Sequence, residues 1–280
     1  MSAALVILGA TGGVGRGVVR AALDRGHPVV AVARQADALA ALAHEHHGAD
    51  VVTLPGSVAS DAEGAALAER LRDLRRPFAG IVTSVCGGTS NGRVLDQPAE
   101  FLRRKLDEDL LPHLAAARHL LPLLAEAGRG NYLLIGGPGS ENPWAGYGHR
   151  SVAAAALRML ARVLHDEARA LDVRVNLLTV DMPACTGHNR KHASSRWPSA
   201  LAIGQQAVAL IERPPPDIPV VRYAPPTKTG PCHASPSDNV PAFFGPDSAP
   251  PPSDSCTSLV AVRALLGRFS STGSKKDISS

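Results

Sequence analysis

The sequence predicts an α/β fold in which a doubly wound parallel β-sheet carries helices on both faces, in three αβα layers. Short apolar segments typical of buried strands alternate with longer helix-forming segments between residues 4 and 180. Parallel strands need crossover connections, usually helices, so this alternation predicts a parallel sheet. The 280 residues, of which 45% are hydrophobic and 19% charged, are enough for one large core.

Each element follows from its local pattern. Apolar runs bounded by glycine, proline or polar residues predict the strands 4–8, 29–33, 51–54, 80–84, 131–135 and 173–180. Amphipathic or alanine- and leucine-rich stretches predict the helices 14–25, 35–46, 62–74, 98–126, 147–170 and 199–212. Strands and helices therefore follow one another along the chain, as a doubly wound sheet requires.

The composition changes after residue 212, so we predict one domain over residues 1–212. Residues 213–280 hold more than half of the 23 prolines and few periodic apolar residues. Such a segment buries too little apolar surface to offset its conformational entropy, and we expect a largely disordered tail. Within it only 218–223 and 259–269 favour a strand and a helix. A shifted reading frame would give the same change of composition.

Charge, hydropathy and cysteine spacing indicate which classes of partner the protein binds. The net charge is +4 and basic residues are interspersed with acidic ones, so no nucleic-acid partner is expected. No apolar run approaches the roughly 20 residues that span a bilayer, so we expect no membrane partner and a cytoplasmic location. The four cysteines lack the paired spacing of metal sites, and no metal is expected. A small-molecule substrate fits these properties better.

The turn after the first strand has the pattern G-x-x-x-G-x-G at Gly9, Gly13 and Gly15. The first glycine permits a tight turn, the second lets backbone approach a pyrophosphate, and the third allows close packing of helix on strand. The helix N-terminus adds amide donors and a positive dipole end. This pattern indicates a Rossmann-type dinucleotide site, with a purely structural turn as the alternative. The candidate cofactor-binding residues are Gly9, Thr11, Gly12, Gly13, Val14, Gly15, Arg34, Ser57 and Cys86.

The end of the second strand indicates which cofactor is bound. Sites that prefer NAD(H) place a carboxylate here for the ribose hydroxyls, whereas this chain has Ala33 followed by Arg34. A guanidinium at this point can pair with the 2′-phosphate of the cofactor. The sequence therefore favours NADP(H), with NAD(H) as the alternative. A solvated Arg34 without a role in binding is the simplest competing interpretation.

Several segments together resemble the short-chain dehydrogenase/reductase family. Segment 5–17 is similar to that family's glycine-rich fingerprint, and 31–34, 120–130 and 173–176 are similar to later parts of the same fold. The resemblance covers residues 4–180. It implies an oxidoreductase acting on a carbonyl or alcohol, in which the nicotinamide supplies hydride and a tyrosine supplies the proton.

The catalytic residues of that family are matched only in part. Tyr147 precedes the long helix as the family's tyrosine acid does, but Ser151 stands four residues later, where the family has a lysine. Asp109 resembles the asparagine position, and Ser140 lies in a shortened loop near the serine position. His149 could supply a proton instead, although residues two apart do not share a helix face. The candidate catalytic residues are therefore Tyr147, Ser140, His149 and Asp109.

Two main classes of function follow. An NADP(H)-dependent oxidoreductase is favoured; a non-catalytic NAD(P)-binding sensor or scaffold is the alternative, because the family's lysine is missing. Isomerisation or dehydration on the same fold is a third case, since a fold alone does not fix a reaction. The helices over 102–126 and 152–170 resemble the family's subunit interface, so we expect a homodimer or homotetramer through them.

Overall fold

The computed structural model describes residues 2–88, 90–128, 130–215 and 217–225. In these residues one sheet contains the strands β1 (Ala4–Leu8), β2 (Val29–Ala33), β3 (Val51–Pro55), β4 (Phe78–Thr83), β5 (Gly130–Gly136), β6 (Val173–Thr179) and β7 (Val220–Arg222). The helices are α1 (Gly13–Asp24), α2 (Ala36–Glu45), α3 (Asp61–Asp73), α4 (Ala99–Asp109), α5 (Leu111–Glu126), α6 (Gly148–Glu167) and α7 (Ala200–Glu212).

All neighbouring strands are parallel, in the order β3-β2-β1-β4-β5-β6-β7. On β1, Val6 lies beside Val30 of β2 on one side and Ile81 of β4 on the other. The predicted doubly wound parallel sheet is thereby confirmed. The strands β1 and β2 also have their predicted bounds, because strands buried on both faces appear in the sequence as continuous apolar runs.

Helices cover both faces of the sheet and give the predicted three layers. Along β1, Ala4, Val6 and Leu8 face one side, where the core is completed by side chains of α3, α5 and α6. Leu5 and Ile7 face the other side, where α1, α2 and α7 complete the core. The alternation follows from the two-residue period of a strand.

The single helix predicted over 98–126 is wrong. The segment forms two helices, α4 and α5, separated at Leu110, which has a φ of −116° and a ψ of −54°. Proline has no N–H to donate and is favoured in the first turn of a helix, where Pro112 lies; the division is not due to proline alone, since α5 holds Pro122 in its interior. A new helix begins just before Pro112, and α4 packs against both α5 and α6.

The sheet continues past residue 212, where the sequence predicts the end of the domain. The additional strand β7 falls within the predicted strand 218–223 and pairs with β6, with Val220 beside Leu177. The Leu177 amide also donates to the Pro219 carbonyl at 2.7 Å. Residues 226–280 of the predicted tail lie outside the described residues.

The helices α1 and α7 touch backbone to backbone at two glycines. A Cβ atom on Gly17 would overlap the carbonyl oxygen of Ala200, and one on Gly204 would overlap the carbonyl oxygen of Gly17. Such a close approach requires glycine on both sides. It fixes α7 against the helix that follows the glycine-rich turn.

Candidate active site

A cleft opens at the carboxyl ends of the central strands. The order of the strands reverses at β1, which has β2 on one side and β4 on the other, and ligands of such sheets bind at this switch point. The cleft has a volume of about 560 Å³. Six of the predicted cofactor-binding residues line it: Gly9, Thr11, Gly12, Arg34, Ser57 and Cys86.

The glycine-rich turn is folded tightly upon itself. Gly9 has a φ of +76°, and a Cβ atom there would overlap the Ser84 carbonyl oxygen. A Cβ on Gly15 would overlap the Gly9 carbonyl oxygen, which also accepts from the Gly12 amide at 2.9 Å. Gly12 precedes α1, whose first turn has neither a side-chain cap nor an acidic residue. The amides at this helix start therefore suit an anionic group such as a pyrophosphate.

Gly13 has a different neighbour from the one expected. A Cβ atom there would lie 2.6 Å from Cγ2 of Thr186, so this glycine makes room for a protein side chain where the sequence pattern assigned the space to a pyrophosphate. Thr186 is itself fixed, since its amide donates to Oδ1 of Asn189 at 2.8 Å. Gly13, Val14 and Gly15 are not among the residues that line the cleft. The segment after β6 thus packs directly on the turn.

Arg34 follows β2 directly and lines the cleft with an exposed side chain. Within the described part of the chain, no hydrogen bond or ion pair engages its guanidinium. Ser57 lines the same side of the cleft, and its hydroxyl accepts from the Ala59 amide at 3.2 Å. The end of β2 therefore offers an unengaged cation to a ligand.

The other side of the cleft is bounded by the loop after β4, which α4 holds. Asp109 accepts a hydrogen bond from the Gly87 amide through Oδ1 at 2.7 Å. One turn earlier on the same face of α4, Lys105 donates to the Gly88 carbonyl at 3.3 Å and pairs with Glu108 at 2.7 Å. Both Lys105 and Asp109 are only 8% exposed. The sequence prediction includes Asp109 but not Lys105, although their spacing of four residues is a signal that could have found it.

The start of α6 holds the same loop from the opposite side. Arg150 donates through Nη2 to the Gly87 carbonyl at 3.1 Å, so both polar groups of Gly87 are engaged. A Cβ on Gly87 would lie 2.6 Å from the Cβ of Glu108, which explains the glycine. Oδ2 of Asp109 and Nε of Arg150 are buried without a hydrogen-bond partner in the described residues. The structure thus gathers charges of both signs around this loop.

His149 is buried next to this cluster, with only 1% of its surface exposed. Its ring meets the edge of Phe101 at a centroid distance of 5.3 Å, and its Nε2 atom has no hydrogen-bond partner among the described residues. Burial lowers its pKa most, and the positive charges of Arg150 and Lys105 lower it further. The imidazole is therefore neutral near pH 7.

Tyr147 and Ser140 lie on the same loop-to-helix connection. Tyr147 directly precedes α6, and its ring stacks on Trp144 at a centroid distance of 4.2 Å. The Ser140 hydroxyl lies 3.4 Å from that of Thr179 at the end of β6. Among the described residues no hydrogen bond joins the Tyr147 hydroxyl to Ser140. Their side chains are therefore not linked, and neither residue is among those that line the cleft.

Ser151 stands one helical turn after Tyr147. Its hydroxyl accepts from the Trp144 amide at 2.8 Å, and no ammonium occupies this position.

In the described residues, no group of three or more histidine, cysteine, aspartate or glutamate side chains could hold a metal ion. None of the described helices is long and apolar enough to cross a membrane.

Comparison with known proteins identifies the class. A family model described as short chain dehydrogenase matches residues 3–196. The chain therefore belongs to the short-chain dehydrogenase family, an oxidoreductase family, and the resemblance found over residues 4–180 is confirmed. The match reaches residue 196, which includes the segment that packs on the glycine-rich turn.

The chain is also similar to individual proteins, one by sequence and two by fold. An uncharacterized oxidoreductase of Myxococcus xanthus is 29% identical over 177 residues, which are 62% of this chain and 69% of the relative. A short-chain dehydrogenase from Streptomyces avermitilis has a similar structure, with a TM-score of 0.65 and 20% identity over 80% of this chain and 89% of that one. An L-sorbose reductase from Gluconobacter frateurii, solved with NADPH and L-sorbose, gives a TM-score of 0.69 and 21% identity over 79% and 94%.

Proposed function

We propose that the protein is an NADP(H)-dependent oxidoreductase that interconverts a carbonyl compound and an alcohol. The observation that carries this proposal is the unengaged Arg34 guanidinium beside a glycine-rich turn in a cleft of about 560 Å³. Gly9, Thr11 and Gly12 of the turn line the cleft where a pyrophosphate would lie at the start of α1, and Arg34 offers a bidentate partner to the 2′-phosphate. The family assignment adds the oxidoreductase class.

The choice of NADP(H) over NAD(H) rests on charge. A carboxylate at the end of β2 would repel a 2′-phosphate, and this chain has Ala33 and Arg34 there instead. An arginine that forms no ion pair in the described residues has no competing partner to give up when it binds a phosphate. The related L-sorbose reductase was solved with NADPH, which agrees with this cofactor in the family.

When bound, the cofactor would supply hydride from its nicotinamide to the carbonyl carbon, and the protein would supply the proton. We assign proton donation to the Tyr147 hydroxyl, which is half-buried at the start of α6. Ser140, near the start of the loop between β5 and α6, is the candidate to orient the carbonyl oxygen. Asp109 acts on the backbone of the loop after β4, which it holds through Gly87. The buried His149 is neutral. Its imidazole can therefore form a hydrogen bond but carries no additional proton to transfer to a substrate.

A second candidate function is binding of the dinucleotide without turnover. It is favoured by Ser151, whose hydroxyl is committed to the backbone of Trp144, so that no cation stands one turn after Tyr147 to assist proton transfer. A sensor or scaffold of this kind would keep the cleft and lose the chemistry. Turnover decides between the two candidates.

We also propose that the active species is a homodimer or homotetramer. The side chains Val152, Met159 and Val163 of α6 are 44%, 56% and 43% exposed, and they lie along one stripe of that helix. On α5, Leu111 and Leu114 are exposed in the same way. Exposed apolar stripes on two long helices suit a subunit interface. Sedimentation velocity would measure the mass of the assembly.

The test is a fluorescence titration with NADPH and NADH, followed by a screen of carbonyl substrates with the better ligand. Arg34→Ala should weaken NADPH binding by about 10- to 100-fold, the effect of losing a hydrogen bond to a charged group, and leave NADH nearly unchanged. Arg174→Ala, an exposed arginine on β6, is the matched control and should change neither affinity. Equal losses for both dinucleotides in Arg34→Ala would refute the choice of NADP(H).

A further inference from the structure

Three consecutive cations on α4 have different environments. Arg103 and Arg104 are exposed, whereas Lys105 is buried and lines the cleft. Lysine is among the residues least often buried, because removing its charge from water costs free energy unless partners replace the water. The burial of Lys105 therefore needs an explanation, whereas the two exposed arginines are simply solvated.

The partners of Lys105 leave one donor unused. An ammonium has three N–H groups. One reaches the Gly88 carbonyl at 3.3 Å and one reaches Glu108 at 2.7 Å. The described residues show no third acceptor, although the side chain is part of the cleft wall. Glu108 offsets the cost of burying the charge and leaves a donor for a ligand.

The position of Lys105 in the cleft defines which part of a dinucleotide it can meet. Arg34 stands at the end of β2, and Lys105 is attached to the loop after β4. These strands flank β1, so the two sides of the cleft are about 10 Å apart at two strand spacings. A dinucleotide binds across the switch point, with its adenosine ribose at the end of β2. The β4 side therefore belongs to the other nucleotide.

We infer that Lys105 is a cofactor-binding residue that donates a hydrogen bond to the sugar–phosphate oxygens of the nicotinamide half. This inference rests on the proposed function and deepens it. The position one turn after Tyr147 carries Ser151 and no cation, while Lys105 provides a cation from α4 to the wall of the cleft. Positive charge on the nicotinamide side thus comes from a different helix.

The test separates the two halves of the cofactor. NADPH and adenosine 2′,5′-bisphosphate, which contains only the adenosine half, are titrated against the wild type and Lys105→Met. Methionine keeps an unbranched side chain against Phe101, whose ring lies 5.9 Å from the ammonium. We expect NADPH binding to weaken about tenfold or more and bisphosphate binding to stay within about twofold. Arg103→Met, on the exposed face of the same helix, is the control and should match the wild type.

Other outcomes overturn the inference. Unchanged NADPH affinity in Lys105→Met would show that the ammonium does not touch the cofactor, and equal weakening of both ligands would mean that it contacts the adenosine half or has a merely structural role, either of which refutes the inference. If Lys105→Met does not fold, Lys105→Gln, which keeps two donors without the charge, replaces it with the same expectations. A wild-type protein that binds neither ligand would refute the proposed function itself, and Lys105 would lose its assigned role with it.

Discussion

The Ser151 hydroxyl accepts a hydrogen bond from the Trp144 amide at 2.8 Å, so the residue in the family's lysine position is part of the loop that precedes Tyr147. Gly139 packs on the same serine, because a Cβ atom on Gly139 would lie 2.6 Å from the Ser151 hydroxyl oxygen. The loop has therefore closed over this position, and Ser151 is only 8% exposed.

Ser151→Lys should consequently destabilise the protein and fail to raise its turnover. The longer side chain overfills the space beside Gly139 and removes the acceptor of a backbone amide, which together cost about 2 kcal/mol or more of the free energy of unfolding. Chemical denaturation measures this loss. Ser151→Ala, which removes only the hydrogen bond, should cost about 1 kcal/mol. A Ser151→Lys protein of wild-type stability and raised turnover would show that the missing ammonium is the only defect of the site.

Tyr147→Phe should reduce turnover of any reducible carbonyl by about 10²–10⁴-fold, the usual contribution of a positioned general acid. Phenylalanine can still stack on Trp144, so the start of α6 and the affinity for NADPH should stay near wild type. Steady-state rates and a cofactor titration check both points. Tyr223→Phe, at a buried tyrosine outside the proposed proton path, is the control for the loss of a phenol. Turnover that survives Tyr147→Phe would exclude this residue as the acid.

Gly13 and Thr186 should be energetically coupled. Gly13→Ala places a methyl group against the Thr186 side chain, and overpacking of this kind costs about 1–3 kcal/mol. Thr186→Gly removes the obstructing atoms, so the double variant should lose less than the sum of the single losses. A double-mutant cycle of denaturation experiments measures the coupling. Strictly additive losses would mean that the two residues do not meet in solution.

His113 should make stability depend on pH. It is 1% exposed and its Nε2 lies 3.1 Å from the Val85 carbonyl oxygen; burial lowers its pKa from 6.5 to about 4. Between these two values the unfolded chain binds a proton that the native protein does not, so stability is full above pH 6.5 and falls as the pH drops toward 4. From pH 7 to pH 5 this contribution is about 2 kcal/mol.

The measurement compares urea unfolding of the wild type and His113→Gln at pH 7 and pH 5. The variant has lower stability at pH 7 because a buried side chain is replaced, but its loss between the two pH values should be smaller than that of the wild type. An identical loss in both proteins would show that His113 is not the group that titrates.

The sheet was predictable because each strand and the first turn are specified by residues that are adjacent in the chain. The residues of β1 and β2 form uninterrupted apolar runs, and the turn between β1 and α1 has a glycine pattern with a mechanical cause at Gly9 and Gly15. The division of the long helix at Leu110 was not predictable in the same way, since Pro112 lies at the start of α5 and Pro122 lies inside it.

The site was predictable only where one segment carries it. Arg34 and Tyr147 follow from their positions next to a strand and a helix. The contact of Thr186 with Gly13 joins residues far apart in the chain, and no pattern in either segment predicts it. Lys105 stands beside two exposed arginines, so its burial depends on how α4 packs near the loop after β4, which periodicity does not specify.

The crossing of α1 and α7 at Gly17 and Gly204 restricts how this lineage can change over evolutionary time. Because each missing side chain makes room for the other helix's backbone, neither position can accept even alanine unless the helices separate. Separation would shift α1, whose first turn forms part of the glycine-rich turn, and α7, which follows the segment bearing Thr186. Among descendants that keep this helix pair in contact, we expect the two glycines to be retained or lost together, so that an alignment of relatives should show them as a linked pair.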